Sequence, residues 1–181
     1  MSYDVIRMRP IIIAILGHKD SGKTKIIEFL TQELTMRGLK VVTIKHIAHD
    51  YFEVNAEGKD TWRHKRAGAK IVIGISEKRM AIIDDIIKSS EEAFNYALEY
   101  LMSKNPDVIL IEGFSKIVSS HPDIRKVVIA RDLREVQYYL NIIKERLIGV
   151  IKRGNFELKA PGIKVLTEKD LLHFVLDLLE D

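Results

Sequence analysis

Gly17-His18-Lys19-Asp20-Ser21-Gly22-Lys23-Thr24 decides the reading of this chain, because it fits the spacing G-x-x-x-x-G-K-[ST] of a phosphate-binding loop without a gap. A polyphosphate carries dense negative charge. A tight loop running into a helix aims several backbone N–H groups at that charge, with the positive end of the helix behind them. Gly17 and Gly22 allow the turn and the close approach, since a Cβ there would collide with phosphate or forbid the required φ. Lys23 reaches the terminal phosphate oxygens, and the Thr24 hydroxyl becomes a Mg²⁺ ligand. Nucleotide contacts are therefore expected from Gly17, His18, Lys19, Asp20, Ser21, Gly22, Lys23, Thr24 and Lys25, with Lys23 also serving catalysis.

Both flanks of the loop agree with this reading. Upstream, Ile11-Ile12-Ile13-Ala14-Ile15-Leu16 is an unbroken apolar, mostly β-branched run, as in a parallel strand buried on both faces. Downstream, from Thr24, the period becomes helical through Ile26, Ile27, Leu30 and Leu34, and Gly38 stands where a C-terminal cap belongs. The fold class that follows is α/β: a three-layer P-loop NTPase fold with a mostly parallel sheet and an antiparallel hairpin at its edge.

The 181 residues are expected to form a single domain, with 46% hydrophobic residues to fill its core. Cysteine is absent, which excludes disulfides, thiol nucleophiles and thiolate metal sites. The longest apolar runs are strand-sized and the stretch Met1 to Arg9 carries Asp4, Arg7 and Arg9, so neither a membrane span nor a secretory signal is expected, and a cytoplasmic location is. The net charge of +3 comes from 29 basic and 26 acidic residues dispersed along the chain, a mixed solvated surface and not a nucleic-acid footprint.

The second strand is expected over Lys40 to Ile44, so that Lys45 and His46 emerge on the same edge as the phosphate loop. Residues 47–60 lack periodicity and read as a surface loop holding His49, Asp50, Lys59 and Asp60, with a short helix from Thr61 to Ala67 behind it. Lys70 to Ile75 and Arg79 to Ile83, joined by Ser76-Glu77-Lys78, form the hairpin; residues 69–84 are its bounds and a subunit interface its expected use. Ser89-x-x-Glu92 opens a helix that runs to Ser103. The strand Asp107 to Gly113 then delivers Glu112 at its C-terminal end, where the acidic residue that positions Mg²⁺ or the attacking water belongs. Glu is one methylene longer than the usual Asp, which favours action through water over direct ligation. A strand from Arg125 to Ala130, a helix from Leu133 to Arg146, strands Leu147 to Ile151 and Ile163 to Leu166, and a helix capped by Thr167-x-x-Asp170 complete the chain. Tyr138 and Tyr139 read as packing residues.

With these residues in view, the chain resembles the molybdopterin-guanine dinucleotide biosynthesis protein B family. The matching pieces are the phosphate loop, Ile44-Lys45-His46 with His49 and Asp50, Gly58-Lys59-Asp60, Ala67-Gly68-Ala69 and Ile111-Glu112-Gly113-Phe114, which cover the chain to about residue 132. The resemblance implies a Mg²⁺-dependent GTP-binding protein with weak hydrolysis that assists the attachment of a guanine nucleotide to molybdopterin. It also implies a homodimer whose hairpin strands exchange between subunits, and a nucleotide transferase or molybdoenzyme as partner. The pattern N-K-x-D, which reads guanine in many GTPases, is not met: Ile151-Lys152-Arg153-Gly154 offers Lys152 and no Asp, so the preference for GTP rests on the likeness alone.

Several residues have a plainer role open to them. Lys45 is either an exposed strand-end lysine or an anion contact; Asp60 either caps the short helix or belongs to the site. His46, His49 and His64 lack the carboxylate or thiolate set of a transition-metal centre, so hydrogen bonding to phosphate or to a pterin is the favoured use of the first two. Two further functions fit the same loop: a nucleotide-dependent adaptor without significant turnover, and a small-molecule kinase, the latter without an evident arginine-rich lid.

Overall fold

The computed structural model describes residues 9–47 and 60–180. The chain divides into two compact units, Met1–His46 with Glu99–Asp181, and Ile47–Leu98.

In the first unit, β1 (Ile11–Leu16) leads through the phosphate loop into α1 (Lys23–Met36), followed by β2 (Val41–Lys45). After the inserted second unit come β5 (Val108–Glu112), the four-residue α4 (Ser115–Val118), β6 (Arg125–Ala130), α5 (Leu133–Ile142), β7 (Leu147–Lys152), β8 (Val165–Leu166) and α6 (Glu168–Glu180). The six strands form one parallel sheet in the order β2-β5-β1-β6-β7-β8. Every residue of β1 is buried, because neighbours bond to both of its edges and both of its faces are covered. On one face Ile11, Ile13 and Ile15 pack with Ile26, Ile27, Leu30 and Leu34 of α1 and with Leu171, Leu172 and Val175 of α6. Each of these aliphatic side chains contributes roughly 1.5–3 kcal/mol by leaving water. On the opposite face Ile12, Ala14, Leu16, Ile109 and Ile111 are equally buried, and α5 packs on β6.

Local chemistry sets the helix ends. Past α1, Gly38 adopts φ +82° and donates to Thr35 O at 2.9 Å while Leu39 N–H returns to Leu34 O at 3.2 Å, the left-handed stop expected of a glycine there. Thr167 and Asp170 cap α6 reciprocally: Asp170 N–H donates to Thr167 Oγ1 at 3.2 Å, and Thr167 N–H to Asp170 Oδ2 at 2.8 Å. The helix expected over Leu133 to Arg146 stops four residues early, at Ile142, and Ile143 is already extended.

In the second unit, α2 (Asp60–Arg66) precedes an antiparallel hairpin of β3 (Ile71–Ile75) and β4 (Met80–Asp84), and α3 (Ser90–Met102) runs from this unit into the first. Ser89 Oγ accepts from Glu92 N–H at 3.1 Å, as its capping motif requires, whereas the Glu92 carboxylate accepts from Lys88 N–H, one residue earlier than in the standard box. The hairpin itself forms as expected, but it is a two-stranded sheet of its own and not an edge of the parallel one, whose terminal strands are β2 and β8. Among the described residues its two strands pair only with each other.

Candidate functional site

The register of the sheet assembles the site. Lys45 of β2 pairs with Glu112 of β5, and Glu112 with Ile15 of β1, so the three stand in one row across adjacent parallel strands with their side chains on one face. That row lies where the phosphate loop leaves β1. Glu112 is 8% exposed, and its carboxylate accepts the Thr24 hydroxyl at 3.0 and 3.1 Å while the Lys45 ammonium lies 3.2 Å from Oε1. Lys45 Nζ is also 3.4 Å from Thr24 Oγ1. Residues 24, 45 and 112, far apart in sequence, thus share one hydroxyl–carboxylate–ammonium cluster at the start of α1.

The loop is shaped by its own residues. Gly22 adopts φ +91°, which only glycine reaches without strain, and a Cβ there would meet nothing closer than Arg153 Nε at 3.5 Å. Gly17 has a different reason to be glycine from the one expected. Its Cβ would lie 2.5 Å from Ser21 Oγ and 2.8 Å from Ile129 O, so the collision is with the protein itself. Asp20 also adopts a positive φ, 60°, at the outer bend. Lys23 Nζ donates to Gly17 O at 3.0 Å and His18 O at 2.6 Å, folding the ammonium over the loop. Burial pulls Lys23 below its usual pKa, Glu112 opposes the shift, and Lys45 adds to it.

These groups fit a Mg²⁺-bound polyphosphate. Ser21 is 3% exposed and its hydroxyl has no hydrogen-bond partner among the described residues, an arrangement that ordinarily costs about 1–3 kcal/mol and that an anion in the loop would relieve. The first amides of α1 have no partner within the helix, and Lys23 adds charge beside them. Thr24 and Glu112 supply the hard oxygen atoms that Mg²⁺ prefers.

Other expected contacts are placed less tightly. His18, Lys19, Asp20 and Lys25 are exposed on the loop and the first turn of α1. His46 is exposed, its N–H donates to Glu112 O at 2.9 Å, and its ring lies 4.8 Å from that of Phe114. Asp60 opens α2 in the second unit, 89% exposed and 3.8 Å from Arg63, and His64 is exposed on the same helix. His49 and Asp50 lie outside the described residues, as do Gly58 and Lys59. Among the described residues no three His, Asp or Glu side chains group as metal donors.

Sequence reasoning missed the support beneath the loop. Tyr139, read as packing, is indeed buried, but what it packs against is the loop: the His18 ring is 5.7 Å from Tyr139 and 5.4 Å from Tyr138. Burial pushes the Tyr139 hydroxyl up to about 12, with Tyr138 and Glu135 adding to the effect and a backbone hydrogen bond from Gly17 opposing it. Arg131 closes β6 by donating its backbone N–H to Glu135 at 2.8 Å and its guanidinium to the same carboxylate at 2.8 and 2.5 Å. Burial alone would raise the Glu135 carboxyl, but these bonds from Arg131 outweigh it and hold the group below its usual range. Arg153, which borders Gly22, is tied to Glu168 at 2.6 Å. The signal for both arginines was available: each ends or follows a parallel strand on the edge that carries the loop.

No helix among the described residues is long and apolar enough to cross a membrane. Residues 12–153 match the family model for molybdopterin guanine dinucleotide synthesis protein B. The chain is 30% identical over 164 residues to the molybdopterin-guanine dinucleotide biosynthesis adapter protein of Haemophilus influenzae, covering 90% of each. It is 33% identical over 158 residues to a protein of Methanocaldococcus jannaschii given the same name as putative, covering 87% of this chain and 61% of that one. Among solved structures, a molybdopterin-guanine biosynthesis protein B superposes with a TM-score of 0.64 at 27% identity, over 94% of this chain and 99% of that one. Bacillus subtilis MobB shares the fold with a TM-score of 0.72 at 24% identity, over 92% and 96%. By the span of the family match and by these relatives, the chain belongs to the molybdopterin guanine dinucleotide synthesis protein B family.

Proposed function

We propose that the chain binds GTP with Mg²⁺ on the phosphate loop, hydrolyses it slowly, and so assists the attachment of a guanine nucleotide to molybdopterin as an adapter to a nucleotide transferase or molybdoenzyme. The observation that carries this reading is the contact of the Thr24 hydroxyl with the Glu112 carboxylate, 3.0 Å apart at the head of α1. Lys23 and the loop amides would hold the phosphates. Thr24 would hold Mg²⁺ and Glu112 would hold it directly or through water, and the ion would neutralise charge on the phosphate oxygens. Lys45 and His46, on the same edge, are the nearest described candidates to meet a second anionic ligand such as the pterin phosphate. The guanine preference rests on the family's name.

The word adapter in the relatives' names favours a second reading, in which nucleotide binding without turnover is what the partner enzyme senses. A single-turnover assay of the full chain with GTP and Mg²⁺ separates the two: phosphate release supports the first reading, tight binding without release the second. Lys23→Ala is expected to lose at least tenfold in GTP affinity; equal affinity in the variant refutes the site itself.

The homodimer is also part of the proposal. In the hairpin, Ile71, Ile73 and Ile75 share one face with their cross-strand partners Ile82 and Met80, and all five are exposed, Ile75 at 78%. A contiguous apolar face of this kind is commonly covered by another chain, and a second copy of the hairpin is the simplest partner.

A further inference from the structure

Away from the phosphate loop, the first unit contains a cavity of about 620 Å³ around the start of β6 and β7 and one face of α6. Arg125 opens β6 and Arg146 immediately precedes β7, so in this parallel sheet both stand at the strand ends opposite the loop. Lys164 joins them, and the apolar part of the wall includes Leu147 and Phe174. Among the described residues none of these three cations has a carboxylate within ion-pair distance.

The arrangement is held in place by its surroundings. Arg146 sits at φ +55°, a conformation a non-glycine residue adopts only when the surroundings fix it. They do: Lys126, fully buried, donates its backbone N–H to Arg146 O at 2.8 Å and its ammonium to Glu145 O at 3.2 Å and His121 O at 2.6 Å. A buried lysine therefore clamps the turn that presents Arg146 beside Arg125. Burial, and then the proximity of Arg146, pulls the Arg125 guanidinium below its usual pKa. Two guanidiniums gathered with no carboxylate in ion-pair distance among the described residues repel one another, and a bound dianion would offset that repulsion. On α6, Asp170, His173, Phe174 and Asp177 share the facing stripe, with Asp170 already engaged by the Thr167 cap at 2.8 Å.

We propose that this cavity is a second anion site, for a small phosphate monoester with a planar body. Arg125 and Arg146 take the phosphate oxygens, for which paired guanidiniums are well suited, and Lys164 adds charge. Phe174 offers the planar body a flat wall, and Asp177 accepts from an N–H or hydroxyl on it. The volume is that of a small-molecule site and too small for a folded partner's surface. The site is separate from the phosphate loop and does not depend on the assignment of that loop to GTP.

The test uses the full chain with inorganic phosphate, GMP and guanosine as probes, followed by thermal melting and calorimetric titration. The phosphate loop is blocked either by Lys23→Ala or, should that variant misfold, by saturation with a non-hydrolysable GTP analogue and Mg²⁺. With the loop blocked, GMP is expected to bind saturably, phosphate more weakly, and guanosine at least tenfold more weakly than GMP. The double substitution Arg125→Gln and Arg146→Gln is expected to lower GMP affinity at least tenfold, to leave GTP affinity at the loop unchanged, and to melt no lower than wild type in anion-free buffer, because it removes like-charge repulsion. No saturable GMP binding with the loop blocked, equal binding by the double variant, or equal binding of guanosine overturns the proposal.

Discussion

Gly17→Ala tests the geometry of the loop more sharply than removal of any charged group. The added Cβ would sit 2.8 Å from Ile129 O, a backbone atom of a central strand that cannot move aside, and 2.5 Å from the Oγ of buried Ser21. Restoring ordinary 3.4 Å contact with Ile129 O alone requires the loop to rise by about 0.6 Å, an overpacking of the kind that costs about 1–3 kcal/mol. At roughly 2–4 °C per kcal/mol for a domain of this size, the melting temperature should fall by about 2–12 °C. The same displacement exceeds the roughly 0.5 Å tolerance of a preorganised binding site, so GTP affinity should fall at least tenfold, about 1.4 kcal/mol. Gly38→Ala is the control: its φ is +82° with open space around it, so it should cost about 1 kcal/mol in stability and leave GTP affinity unchanged. Differential scanning calorimetry and GTP titration on the three proteins give both quantities. A Gly17→Ala protein that melts within 1 °C of wild type and binds GTP equally well would show that the contact between loop and β6 is not what fixes the loop.

Glu112→Gln keeps a hydrogen-bonding partner for Thr24 but removes the charge. It should weaken GTP binding in Mg²⁺ by about 10- to 100-fold with little change in EDTA; equal losses in both buffers would deny Glu112 a metal role. Ile73→Lys, placed on the exposed hairpin face, should yield a monomer by light scattering if that face joins two copies, and an unchanged mass would point elsewhere. The pH dependence of stability should reveal Glu135. Its folded pKa lies below the unfolded value, so as pH falls the unfolded chain takes up the proton first, and stability is lost from the usual glutamate range downward. Glu135→Gln should therefore be less stable than wild type by about 1–3 kcal/mol at pH 7, with the gap closing below about pH 4 in urea titrations. A gap that stays constant from pH 7 to pH 3 would contradict the ion pair with Arg131.

The parts of the fold written locally were legible before any coordinates. Ile11 to Leu16 had to be a doubly buried strand, and the spacing of Ile26, Ile27, Leu30 and Leu34 had to be one face of a helix; both occur, and β1 and β6 have their expected limits. Where periodicity misled, the apolar residues ran on past a boundary. Ile143 and Leu147 continue the α5 pattern in register, but the first is extended backbone leading toward β7 and the second already belongs to that strand. The helix Ser115–Val118 is too short to leave a periodic trace. In the site, Lys23 and Thr24 were legible from the loop motif and Lys45 and Glu112 from strand-end placement; sheet register aligns the last two, and the Thr24 hydroxyl reaches them from α1. The tyrosines beneath His18 and the clash that keeps Gly17 a glycine depend on how α5 and β6 meet the loop, a tertiary relation that no spacing encodes.

The strand order carries a consequence for synthesis on the ribosome. β1 is made first, yet its two hydrogen-bonding neighbours are residues 108–112 and 125–130. A nascent chain must therefore keep its most apolar segment unpaired while about a hundred further residues are translated, and such long-range parallel pairing is slow and prone to aggregation. Ile129, whose carbonyl oxygen borders Gly17, is translated more than a hundred residues after the loop, so on the reading proposed above a bound nucleotide would meet the completed wall of its site only late in synthesis.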